Sequence, residues 1–413
     1  MSGYSLLSSV RVLEVAQLAP SSVGGYLADL GADVVKIETP GAGDGVRRGG
    51  FQAVGGDAGP GFLHLRWNRG KRSFALDLRN AQGKEAFLDL VACADIVIEG
   101  TRAGYLERLG LGVDVLSERQ PTLVYCTISG TGQDGPYRNL GTGGLWFDSY
   151  AGLRDVDPDH PSAPGVMGGS PEPPIAMYAL GAYGAVGVLA ALHRAKTTGQ
   201  TCNIEVASID VAASWMPDEI DAALNPGTTS VRPGWTPDGR LAHWPRLDAY
   251  RTSDGQAIIL QAHLNKFWRN FCAVDRRDLL EIDLEHVDEG HAARAHLVWR
   301  ELAAIFRQRT RSEWVELFLI ENIAGGPVNS VTDLLADPHY ISRDTRYSVD
   351  GPGGVRLTLA SSPIRSGGEK FAPDLAPELG AHSEEVLKEV AGYDNVRAAS
   401  VIKSMLALTG ERE

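Results

Sequence analysis

The sequence predicts an α/β fold, a large domain with a parallel, Rossmann-like sheet plus a smaller α+β domain. Three observations carry the prediction. Short β-rich runs alternate with helical windows between residues 10 and 128, a hairpin signal and charged helices follow in the middle, and strand and helix signals return in the tail.

Residues 10–15 (Val-Arg-Val-Leu-Glu-Val) read as a strand, and residues 24–30 as a helix closed by Gly31. Residues 32–38 (Ala-Asp-Val-Val-Lys-Ile-Glu) read as a second strand. The pattern repeats with a strand over 73–77, a helix over 81–94, a strand over 95–99, another helix, and a strand over 123–128. Strands separated by helical windows build βαβ units, whose helices cover both faces of a parallel sheet. Residues 225–247, rich in Pro, Gly, Trp and Thr, read as a long irregular connection. Asp254-Gly255 then lies between two strand-like runs within residues 250–260, a hairpin signal. Charged helices over 267–319, a strand over 356–360 and helices from residue 383 complete the reading. The expected division is a large domain over 1–225, a linker and small α+β domain over 226–325, and a return to the large domain with C-terminal helices over 326–413.

The 413 residues are 43% apolar and 22% charged, ordinary material for globular cores. A net charge of −13 argues against nucleic acid or an anionic membrane surface as partner. Cys93, Cys126, Cys202 and Cys272 form no C-x-x-C pair, which fits reduced thiols in a cytoplasmic protein. The first residues lack a basic stretch followed by a long apolar run, so no secretory signal is expected. Residues 174–192 carry no charge, yet Gly181, Gly184 and Gly187 recur every third position among alanines. That spacing favours a closely packed buried helix over a membrane span.

Gly130-Thr-Gly132-Gln-Asp-Gly135 matches G-x-G-x-x-G after a strand. Dinucleotide binding requires a helix to open there, whereas Pro136, Gly141, Gly143 and Gly144 continue a loop. No nicotinamide or flavin is expected. His243 and His263 lack a third ligand at metal spacing, and Asp155, Asp157 and Asp159 lack the glycine and distal glutamate of a calcium loop, so no metal is expected either. The basic loop over residues 68–73 (Asn-Arg-Gly-Lys-Arg-Ser), together with Arg102 and Arg108, reads as a solvated face or as a cradle for an anionic cofactor at strand ends.

Six motifs in order resemble one family. They are Leu-Gly-Ala-Asp at 30–33 with Pro-Gly-Ala-Gly-Asp at 40–44, the basic loop running into Leu-Asp-Leu at 76–78, and Ala-Asp-Ile-Val-Ile-Glu at 94–99 with Leu-Glu-Arg-Leu-Gly-Leu at 106–111. The others are residues 128–137 (Ile-Ser-Gly-Thr-Gly-Gln-Asp-Gly-Pro-Tyr), Gly-Gly-Pro-Val-Asn at 325–329 with Ala-Asp-Pro at 336–338, and residues 376–382 with Glu-Val-Leu at 385–387. Nearly the whole chain resembles family III CoA-transferases, the CaiB/BaiF group that includes formyl-CoA and carnitine CoA-transferases and α-methylacyl-CoA racemase. The resemblance implies coenzyme A or acyl-CoA as substrate, a small carboxylic acid as acceptor, and two interlocked chains. It places CoA contacts at Ala19, Leu76, Arg79, Gly100, Thr101 and Arg108, with Thr101 standing where the family often has an aromatic residue and Thr39 where it often has arginine.

In that family an aspartate attacks the acyl-CoA thioester, and the resulting mixed anhydride gives an aspartyl-CoA thioester that hands CoA to the acceptor. Counting from Pro136-Tyr137 and from Ala151-Gly152-Leu153 places that aspartate at Gly144. The next acid is Asp148, either a substitute nucleophile or a capping aspartate. The racemase acid and base positions fall on Gly143-Gly144 and Ala176, which do not titrate. The readings are therefore a CoA-transferase that works as the non-nucleophilic subunit beside an aspartate-bearing paralogue, a self-sufficient enzyme, as a homodimer, in which Asp148 or an unrecognised group works, and a catalytically inactive acyl-CoA-binding or structural protein. A racemase or isomerase is the remaining alternative. Trp146, Phe147, Tyr150 and Trp215 suit an apolar or aromatic acid, or a core.

Overall fold

Alternation along β1 (Arg11–Ala16) feeds two cores, Leu13 and Val15 joining one, Val12 and Ala16 the other. The computed structural model describes residues 3–53, 59–154, 173–227 and 244–407. The strand leads through α1 (Ser21–Asp29) to β2 (Asp33–Glu38), and through α2 (Phe62–Asn68) to β3 (Arg72–Ala75). Then come α3 (Ala81–Val91), β4 (Ile96–Gly100), α4 (Tyr105–Arg108), α5 (Val113–Arg119) and β5 (Val124–Ser129). After α6 (Gly144–Tyr150) and α7 (Ile175–Thr198) the chain closes the sheet with β6 (Cys202–Ala207) and enters α8 (Ser208–Ser214). The six strands are parallel, in the order β3-β2-β1-β4-β5-β6. That is the doubly wound order of a Rossmann-like sheet, with its topological switch point between β1 and β4.

The chain divides into two compact units, one of residues Met1–Pro217 with Thr345–Glu413, the other Asp218–Asp344. The second holds α9 (Pro217–Leu224), β7 (Leu247–Arg251), β8 (Ala257–Gln261), α10 (Asn265–Asp275), α11 (His291–Phe306), α12 (Arg311–Ile320), β9 (Gly325–Val328), α13 (Val331–Ala336) and α14 (Pro338–Ser342). Gly255, at φ 75°, makes the turn of the expected hairpin. The return to the first unit falls at Thr345 rather than 326, because β9 pairs antiparallel with β8 and completes a three-stranded sheet. In the first unit β10 (Arg346–Asp350) pairs with β11 (Arg356–Ala360), and α15 (Ser383–Glu389) and α16 (Asn395–Ala407) add Val386, Leu387 and Val401 to the core that includes α3.

The uncharged stretch is α7. By length and apolarity it would cross a membrane, at a mean hydropathy of 1.8. Its glycines instead admit α1. A β-carbon on Gly181 would lie 2.3 Å from Ser22 Oγ, and one on Gly184 2.5 Å from Val23. Tyr178, Tyr183 and Val186 line the exposed side of this helix.

The basic loop is a correction to the sequence reading. It precedes β3, and its Arg69 and Lys71 side chains are turned inward. Buried Lys71 donates to both oxygens of Glu14 at 2.8 and 2.7 Å, and Arg69 pairs with Asp29 through two bonds of 2.6 Å. Arg72 pairs with Asp33. These cations neutralise internal carboxylates, since a buried charge is retained only when paired and hydrogen-bonded.

Candidate functional site

At the switch point the chain leaves β1 through Gln17, Leu18 and Ala19, and leaves β4 through Gly100 and Thr101. Gly100 lets the two ends meet, since a β-carbon there would lie 2.4 Å from Pro20 Cβ and 2.7 Å from Ala16 Cβ. The Gln17 amide donates to the Gly100 carbonyl at 3.2 Å. Ala19 is buried, and its carbonyl accepts from the Ser22 amide and hydroxyl. Thr101 Oγ1 is buried without a hydrogen-bond partner. Ala19, Gly100 and Thr101 are thus brought together where an open parallel sheet binds ligands.

Arg79 and Arg108 form a second grouping around Tyr105. Burial pushes the Tyr105 phenol up, while Arg79 and Arg108 both pull it down. Arg79 is held by the Asp77 carboxylate at 2.6 and 2.8 Å, and Arg108 donates to the Ala103 carbonyl at 2.6 Å. Arg79 and Arg108 are both exposed. Leu76 is otherwise placed. Its side chain is buried in the core beneath α3, which leaves its main chain as the part near Arg79.

Gly144 is the first residue of α6, and Ala176 lies in the first turn of α7. The two helix starts face each other. A β-carbon on Gly144 would lie 3.0 Å from Met177 Sδ and 3.2 Å from Pro174. Ala176 shares a small core with Phe147 and Ala212, beside Trp146 and Ile209. None of these side chains titrates. Asp148 is buried at 1% exposure. Its Oδ2 accepts the Ile175 amide at 2.8 Å and its Oδ1 the Ala176 amide at 2.9 Å, with Arg154 at 3.7 Å. The carboxylate thus fills the electropositive start of α7. Rings of Tyr137, Trp146 and Tyr150 cluster on the next surface, at centroid separations of 6.2 and 5.0 Å, and Trp215 is half exposed.

The G-x-G-x-x-G stretch stays a loop to Gly143, pinned by Glu205 accepting the Gln133 amide and by Gln133 accepting the Gly104 amide. Among the described residues no group of histidine, cysteine and acidic side chains could hold a metal. His243 and the aspartates at 155, 157 and 159 lie outside the described residues, and the His263 ring lies tilted beside Trp244, 5.2 Å between centroids.

Sequence reasoning missed Tyr105, Met177 and the turn at Leu18. Asp44 stood inside a recognised motif without a role, and nothing in the sequence marks Leu18 as left-handed.

The comparisons bear on this geometry. The model of "CoA-transferase family III" matches residues 7–383. The chain is 31% identical to a succinyl-CoA:mesaconate CoA-transferase of Haloarcula hispanica, covering 93% of this chain and 96% of that one. It is 28% identical to the succinyl-CoA–L-malate CoA-transferase beta subunit of Chloroflexus aurantiacus, covering 94% of each. A crystal structure of a point mutant of Rv3272 from Mycobacterium tuberculosis superposes with a TM-score of 0.74 at 28% identity, covering 94% of this chain and 100% of that one. A parallel six-stranded sheet of Rossmann order, six family motifs in register and a family model spanning most of the sequence agree, and the chain belongs to CoA-transferase family III.

Proposed function

We propose that this family III CoA-transferase moves CoA between an acyl-CoA and a carboxylic acid as the subunit that lacks the nucleophile, beside an acid-bearing chain of the same family, in the cytoplasm. One observation carries the reading. Gly144 and Ala176, where the resemblance expects acids, lie in the first turns of two helices that meet, and the nearby carboxylate of Asp148 is occupied by the α7 amides. A carboxylate nucleophile must reach within about 3–3.5 Å of the thioester carbon. Asp148 would first have to give up two hydrogen bonds and its buried position. Relatives named as subunits support a division of labour.

This chain's own residues serve binding in that scheme. Thr101 and the chain at the switch point between β1 and β4 contact CoA, while Arg79 and Arg108 neutralise phosphates. The apolar walls from Met177, Pro174 and Trp146 exclude water, which would otherwise hydrolyse the anhydride and the thioester. The same absence of acid also favours a purely acyl-CoA-binding protein. A racemase is disfavoured, because Gly143, Gly144 and Ala176 offer no proton donor or acceptor.

The test is reconstitution. The tagged chain, isolated from its native source, is analysed by native mass spectrometry and assayed with succinyl-CoA and a panel of acids. The expected result is a complex with a second family member, with CoA transfer restored when the two pure chains are mixed. CoA binding without any such partner supports the binding protein, and transfer by the chain alone defeats the proposal.

A further inference from the structure

Leu18 is one of three non-glycine residues in left-handed backbone among the described residues, at φ 57°, and it sits at the switch point. A leucine there is strained by its β-carbon, so the surroundings must impose the conformation. They do so through Asp44. The Leu18 amide donates to Asp44 Oδ1 at 2.9 Å, and the Val46 amide donates to the same oxygen at 3.0 Å. Asp44 Oδ2 accepts the Ser21 hydroxyl at 3.0 Å and pairs with Lys36 Nζ at 2.9 Å. Lys36 also donates to the Ala16 carbonyl at 2.8 Å and to Glu14 at 3.0 Å. One fully buried carboxylate thus joins both ends of the β1–α1 turn to β2 and to the segment after it. The Leu18 side chain, by contrast, is 55% exposed and contributes little packing to hold its own backbone.

We propose that Asp44 is a positioning residue, which locks Leu18 in the left-handed conformation so that the Gln17–Ala19 turn is preorganised for acyl-CoA at the crevice between β1 and β4. The inference rests on reading that crevice as the CoA site. A turn held rigid before the ligand arrives loses less conformational freedom on binding, which raises affinity without a new contact.

A double-mutant cycle tests it. CoA affinity is measured by calorimetry for the whole chain, for Asp44→Asn, for Leu18→Gly and for the double variant, with denaturant midpoints measured in parallel. Glycine adopts a left-handed φ at no steric cost, so it removes the strain that Asp44 must hold. Asp44→Asn is expected to weaken CoA by about tenfold in the leucine background and by less than about threefold in the glycine background. Equal losses in both backgrounds, or no loss in either, overturn the inference. Should Asp44→Asn fail to fold, Leu18→Val repeats the test at an exposed side chain, because a β-branched residue resists the left-handed region more strongly than leucine. It is expected to weaken CoA while lowering the denaturant midpoint slightly, and unchanged affinity overturns the inference. A wild-type chain that binds no CoA contradicts the reading of the crevice itself, and this inference falls with it.

Discussion

Asp148 caps α7 by accepting the Ala176 amide at 2.9 Å, from a position a whole loop earlier in the chain. The first amides of a helix have no partner inside it, so this bond and the companion bond from Ile175 satisfy two of them. Asp148→Ala is expected to lower stability by about 1–2 kcal/mol, and Asp148→Asn by less, because an amide oxygen still accepts one bond. Chemical denaturation checks the order of the two losses.

The contact of α1 with α7 depends on hydrogen in place of a side chain. A β-carbon on Gly181 would also meet Tyr26 at 2.8 Å, whereas on Gly187 the nearest atom is Ile204 Cδ1 at 3.3 Å. Gly181→Ala is expected to cost about 1–3 kcal/mol through overpacking. Gly187→Ala stays near neutral, since alanine also favours the helix. Thermal unfolding of both variants separates the two outcomes.

His64 gives the fold an acid-sensitive point. Burial, and then the Arg47 charge, push its pKa from 6.5 down to about 4. Both ring nitrogens face donors, Asn68 Nδ2 at 3.0 Å and Arg47 Nη1 at 3.3 Å, so the imidazolium form finds no acceptor. Between pH 6.5 and 4 the unfolded chain carries the extra proton, so stability falls as pH falls through that window. The full loss is about 3 kcal/mol. His64→Gln is expected to flatten this part of the stability–pH profile relative to wild type, whatever its absolute stability. Parallel slopes for the two proteins contradict the assignment.

Arg79 and Arg108 are exposed, Arg79 paired with the Asp77 carboxylate and Arg108 donating to the Ala103 carbonyl. Replacing either by glutamine is expected to weaken CoA binding by about three- to tenfold and to shallow its salt dependence. Arg72→Gln is the control, because its guanidinium pairs with Asp33 across β2 and β3. It is expected to lower stability and leave CoA affinity in place, as calorimetry at two salt concentrations would show.

The parallel sheet was legible because short runs rich in valine and isoleucine alternate with longer helical windows, the pattern of βαβ units. β6 escaped notice, since Asn203 and Glu205 interrupt its apolar pattern at the sheet edge. The turn at Asp254-Gly255 and the strand over residues 356–360 were legible from local chemistry alone. Partners distant in sequence were not. Nothing local announces that Lys71 turns to Glu14, 57 residues earlier, or that Asp148 reaches Ala176, 28 residues later. The basic loop therefore read as a solvated face or a ligand cradle, whereas Lys71 and Arg69 are internal counterions. Gly144 and Ala176 were each noted as lacking an acid, and only the structure puts Gly144 against the start of α7.

The central claim is that this chain binds acyl-CoA but cannot carry it covalently. Intact mass spectrometry of the pure chain after incubation with succinyl-CoA tests it most directly, with hydroxylamine as a probe for an aspartyl-CoA thioester and calorimetry to verify binding. The account predicts an unmodified mass with CoA bound. A hydroxylamine-sensitive CoA adduct that disappears in Asp148→Ala would contradict it.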